Sequence, residues 1–183
     1  MNVEVGKLLL AQPFMLDPNF KRSVVLLCEH DSAKGSLGFI LNKPLNMQIL
    51  ELVGDFPDIE ADVFYGGPVA TDTLHYIHDK GDLLQDSIEI HKGIYWGGDY
   101  TRLKFLIENK LILASNIKFF VGYSGWSEEQ LDAELEIGSW VVADMDFNYL
   151  FHKEEGKLWK KVMENKGSSY GVIGQISESH RLN

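Results

Sequence analysis

Cys28, Glu29 and His30 follow one another at the end of an apolar run that begins at Ser23. A thiol, a carboxylate and an imidazole are the groups of nucleophilic, proton-transfer and redox chemistry. A thiol beside His30 and near Arg22 can lose its proton below the free value of about 8.5 and become sensitive to oxidants. Cys28 and His30 are therefore the candidates for catalytic or redox work. The competing reading makes Cys28 a small buried hydrophobe, because cysteine is among the most buried residue types. Along an extended strand Cys28 and His30 share a face and Glu29 points away, so any site must add residues from elsewhere.

Arg22, Glu29, His30 and Asn42 are polar residues that border buried strands. If they converge they make a cleft for a small ligand; if not, they satisfy loop backbone. Ser124 and Trp126 join them as ligand-binding candidates, on the turn over residues 123–126. The string Gly122-Tyr123-Ser124-Gly125-Trp126 approaches the Gly-x-Ser-x-Gly nucleophile elbow, with Asp144 and His152 following in order. Trp126, however, stands where that sharp turn requires a small residue. His75, His78, Asp79 and Asp82 are metal-ligating types, but strand offsets of three send them to opposite faces, so no metal is expected. The glycine pairs at 66–67 and 97–98 belong to no phosphate-binding pattern, and no cofactor is expected.

The elements that must carry these residues follow from apolar spacing. Residues 6–11, 23–28 and 35–41 form short apolar runs and predict strands, the third stopped by Asn42, Lys43 and Pro44. Further strands are predicted over 62–65, 73–78, 87–91 and 117–123, the last with Ile117, Phe119, Val121 and Tyr123 on one face. A short helix is predicted over 47–53. Asp99 caps a helix burying Leu103, Leu106 and Ile107, and Ser127 with Gln130 forms a capping box ahead of Leu131 and Leu135. Leu158, Trp159, Val162 and Met163 mark the stripe of a last helix, ended near Gly167. Strands outnumber helices without alternating with them, which predicts an α+β fold: a single domain over 1–183, with a mixed sheet flanked by helices.

Composition narrows the function classes. The chain has 183 residues, 45% of them hydrophobic, and one cysteine, so no internal disulfide can form and a reducing compartment fits. No apolar run approaches the roughly 20 residues of a spanning helix, and no secretion signal is read at the start, so neither membrane insertion nor export is expected. A formal net charge of −10 disfavours direct nucleic-acid binding.

Several stretches in order carry a family resemblance: Leu9 to Pro13, Asp17 to Val25, Cys28-Glu29-His30, then Gly38 followed by Leu41-Asn42-Lys43-Pro44, and Tyr65 to Val69. The C-terminal half adds Gly97-Gly98-Asp99, Gly122 to Trp126, Gln130-Leu131, Glu134 and Ser139-Trp140. With them the chain resembles the YqgE/AlgH family of bacterial proteins. The loop over 31–34 is longer than that family's usual turn, and the resemblance thins after Glu164. It implies a bent mixed sheet that closes partly into a barrel, in the bacterial cytoplasm, and no particular reaction. One branch of the family carries the label of transcriptional regulator without a recognised DNA-binding motif. The leading expectation is a non-enzymatic module that binds a small molecule or a protein and acts on regulation indirectly. The alternative is a redox sensor or enzyme built on Cys28 and His30.

Overall fold

The computed structural model describes residues 3–167 and 170–172. Its strands are β1 (Leu8–Ala11), β2 (Val24–Asp31), β3 (Gly35–Ile40), β4 (Pro44–Gln48) and β5 (Asp62–Tyr65), followed by β6 (Val69–His78), β7 (Ile88–His91), β8 (Ile94–Trp96), β9 (Ile117–Trp126) and β10 (Trp140–Ala143). The helices are α1 (Ile49–Leu52), α2 (Tyr100–Glu108), α3 (Gln130–Glu136), α4 (Phe147–Leu150) and α5 (Glu155–Lys166). The sheet runs β10-β1-β2-β3-β9-β6-β8-β7, with β5 joined to β9 and β4 to β5. All of these pairs are antiparallel except β5 with β9. The fold is therefore α+β, a mixed sheet flanked by helices.

Among the described residues no hydrogen-bonded pair joins β10 to β7, so the sheet is not closed. It is bent far enough that the backbone of Ile90 in β7 lies against Gly6. A Cβ at Gly6 would stand 2.3 Å from the Ile90 carbonyl oxygen, and its φ of +84° is one that glycine adopts without strain.

Three apolar clusters hold the helices. β1, β2 and β3 send Leu8, Leu10, Leu26 and Phe39 against Leu158, Trp159, Val162 and Met163 of α5, the stripe that the spacing predicts. The indole of Trp159 donates to the Ala11 carbonyl at 2.9 Å. On another side α2 packs Leu103, Leu106 and Ile107 onto Ile117 and Phe119, with Asp99 capping Arg102 N–H as predicted. The third cluster joins Leu9, Val25, Leu27 and Ile40 to Leu131 of α3 and to Trp126 and Trp140.

Four departures from the sequence reading have local causes. Residues 44–48 are a strand, with Pro44 at its first position, where no ladder donor is lost, and only 49–52 are helical. β8 and β10 are strands of three and four residues that give too short a pattern to read. Ser127 is not a helix cap: Gln130 Oε1 accepts its N–H at 3.0 Å, and Glu129, at φ +58°, opens α3. Finally, Gly122 at φ +67° interrupts the alternation of β9, so Tyr123 packs with the cluster containing Phe120 rather than with Ile117 and Phe119.

Candidate binding cleft

At the turn end of the β2–β3 hairpin lies a cleft of about 720 Å³. It begins with a bulge. Leu27 faces Gly38 and Glu29 faces Leu37, leaving Cys28 as an extra residue in β2. An extra residue breaks the two-residue repeat and re-aims the side chains beyond it. Strict alternation would have sent Glu29 away from its neighbours; with the bulge, Cys28, Glu29 and His30 all line the same cleft.

Their environments differ sharply. Cys28 is the floor, 3% exposed and packed in the main core, its thiol 3.6 Å from the Leu26 carbonyl. Burial, and secondarily the Glu29 carboxylate, push that thiol well above its ordinary value. It is held as the thiol, the reverse of what an activated cysteine needs. His30 is half-buried and shares a 2.8 Å hydrogen bond between Nδ1 and Ser36 Oγ. Glu29 is exposed at the rim, and Lys34 Nζ sits 3.6 Å from Asp31 across the hairpin turn.

Arg22 and Asn42 lie at the other end of β2. Asn42 Oδ1 accepts the Val24 N–H and its Nδ2 donates to the Arg22 carbonyl, both at 2.9 Å. The Arg22 guanidinium stacks on Trp159, 4.7 Å from the ring centroid. From Val24 to His30 an extended strand covers roughly 20 Å, so the structure divides the four polar candidates into two pairs. Arg22 and Asn42 anchor the start of β2 and the docking of α5; Glu29 and His30 belong to the cleft. Ser124 is fully buried, with its hydroxyl donated to the Gly66 carbonyl at 3.0 Å. Trp126 borders the cleft, but its indole turns to α3, donating to Glu134 Oε2 at 3.0 Å; Trp140 donates to the same oxygen at 2.7 Å. His78 gives Nε2 to the Gly97 carbonyl at 2.8 Å, while His75 sits among Phe39, Trp96 and Tyr123.

The rest of the lining is mostly apolar, and of its residues the sequence pointed to Tyr123, on the 123–126 turn, but not to the aliphatic ones. Val5, Val69 and Ile88, exposed by 40%, 36% and 55%, line it together with Leu37 and Tyr123. They come from three remote segments, and a lone aliphatic residue at a strand end carries no sequence signal. Lys118 carries none either. It sits 5% exposed in a predicted strand, where alternation alone would have put an apolar side chain beside Phe120.

Comparison with known proteins agrees with the resemblance. A family model described as AlgH-like matches residues 8–171, past Glu164, where the resemblance thins. The UPF0301 protein of Chlorobaculum tepidum is 43% identical over 97% of this chain and 95% of its own length. The UPF0301 protein of Cytophaga hutchinsonii is 41% identical over 97% of this chain and 98% of its own length. Among solved structures, the AlgH protein from Pseudomonas aeruginosa superposes with a TM-score of 0.73 at 25% identity, covering 97% of this chain and 98% of that one. Protein DIP2367 from Corynebacterium diphtheriae shares the fold, with a TM-score of 0.79 at 19% identity over 96% and 94% of the two chains. A family match across most of the length, close relatives along the whole chain and the shared fold together place this protein in the YqgE/AlgH family.

Proposed function

We propose that the chain is a non-enzymatic binding module whose cleft takes an amphiphilic ligand, either a small molecule or an apolar segment of a protein partner. One observation carries this reading: three exposed aliphatic side chains, Val5, Val69 and Ile88, converge on the same cleft as Glu29, His30, Asp31 and Lys34. An apolar wall with a few convergent polar groups is the usual make-up of a ligand site. The polar groups suit binding better than turnover. The cleft's thiol is buried and protonated, and its imidazole is engaged by Ser36. These facts weigh against a redox sensor or an enzyme using Cys28 and His30.

Any regulatory role would then be exerted through the bound ligand or partner, since a net charge of −10 opposes contact with DNA phosphates. None of the described helices is long and apolar enough to cross a membrane, and the single thiol suits the cytoplasm. The test is a fragment screen by NMR on the isotope-labelled protein. Hits should shift the amides of residues 28–37 together with Val69 and Ile88, and Ile88→Asp, at an exposed position, should weaken them at least tenfold. Hits that map elsewhere, or that bind Ile88→Asp equally well, would overturn the proposal, as would a screen with no hits.

A further inference from the structure

A second cavity, of about 270 Å³, opens where β5 and the start of β9 meet the α4–α5 corner. Lys118 reaches it from β9. Its neighbours Ile117 and Phe119 pack towards α2, so Lys118 takes the opposite face with Phe120. There the side chain is 5% exposed, with Nζ 3.7 Å from the centroid of Phe64 and donating to the Leu150 carbonyl at 3.2 Å. Among the described residues it is the one buried lysine. A lysine is almost never fully buried unless a carboxylate pairs with it, yet none of the described salt bridges includes Lys118.

We propose that Lys118 is a nucleophilic amine that captures small uncharged aldehydes in this cavity as an imine. Desolvation lowers the amine to about 8, against the opposing pull of Glu155 and Asp62. At pH 7.5 roughly a quarter of it is then unprotonated, against about one in a thousand for an ordinary lysine. Desolvation of a lysine is an established way to activate its amine for carbonyl chemistry. Glu60, Asp62, His152, Lys153 and Glu155 line the same cavity. Three carboxylates among them disfavour an anionic carbonyl compound, and Lys153 with the protonated share of Lys118 disfavours a cationic one, which leaves an uncharged ligand. At about 30 Å³ per water, the cavity holds a molecule of fewer than about ten heavy atoms.

The Nζ lone pair attacks the carbonyl carbon, and the nitrogen proton passes to the oxygen to give a carbinolamine. Loss of the hydroxyl with the second nitrogen proton then leaves the C=N bond and one water. No electrons are exchanged.

The probe is propionaldehyde with sodium cyanoborohydride at pH 7.5, which reduces the imine to a stable secondary amine that peptide mass spectrometry locates. Lys118 should be labelled roughly tenfold or more faster than Lys34, whose side chain is 83% exposed. Ser115 is exposed at the cavity mouth, so Ser115→Trp should slow labelling of Lys118 several-fold while leaving Lys34 and the melting temperature unchanged. Equal rates at Lys118 and Lys34 would overturn the proposal. An unchanged Lys118 rate in Ser115→Trp would do the same, because the aldehyde would be arriving by local unfolding rather than through the cavity.

Discussion

At the scale of single residues, Cys28 shows how an environment reverses what a residue type suggests. Beside His30 and near Arg22, the sequence offers a thiol with an imidazole and a guanidinium for neighbours, a setting that lowers its pKa. In the fold Arg22 sits at the far end of β2 under Trp159, and the charge that acts on Cys28 is that of Glu29. Desolvation and a carboxylate act in the same direction, so at neutral pH the group is held as the thiol. Native protein should therefore leave an aromatic disulfide reagent unreacted over many minutes, whereas guanidinium-unfolded protein should release one equivalent at once. Prompt stoichiometric release from the native protein would return Cys28 to the reactive groups.

At the scale of elements, α3 shows which contacts a sequence can and cannot announce. The helix has seven residues and buries one of them, Leu131, too little apolar area to hold it by itself. What fixes it is Glu134: one carboxylate oxygen takes the indole N–H groups of Trp126 and Trp140, and the other takes Gln130 Nε2 at 2.9 Å. Glu134→Ala strands two indole donors at the edge of the core and should cost about 2–3 kcal/mol, read as a lower urea midpoint with an unchanged slope. Glu134→Gln keeps an acceptor and should recover part of that. A loss under about 0.5 kcal/mol for the alanine variant would mean that water replaces the carboxylate. α2 and α5 were legible because their apolar residues repeat at helical spacing within one segment. The grip on α3 was not, because strand, helix and following strand each contribute a single polar atom. The cleft divides the same way: Glu29 and His30 were visible as polar breaks in an apolar run, while the bulge at Cys28 and the walls from Val5, Val69 and Ile88 exist only after the sheet bends.

At the scale of the whole molecule, burial of histidine links the fold to pH. His75 and His78 are both held below the ordinary imidazole value, chiefly by desolvation. His78 has both nitrogens engaged as the neutral ring, Nδ1 accepting the Lys80 N–H at 3.1 Å and Nε2–H donating to Gly97, while His75 lies between Phe39 and Tyr123. In the unfolded chain each titrates near 6.5. Below that value the unfolded state binds protons that the native state refuses, so the stability present above pH 6.5 declines as pH falls and is lost through the depressed native values. A second effect opposes it. The net charge of −10 shrinks in magnitude on acidification, relieving repulsion across the native surface. Wild type alone therefore mixes the two, and the comparison that separates them is with His75→Phe, which keeps an aromatic ring among aromatic neighbours and carries no proton. Urea midpoints taken at pH 7.5 and pH 5.5 should fall further for wild type than for His75→Phe. Parallel changes in the two proteins would show that the imidazole titrates alike in both states, and that the aromatic cage around it is open to water.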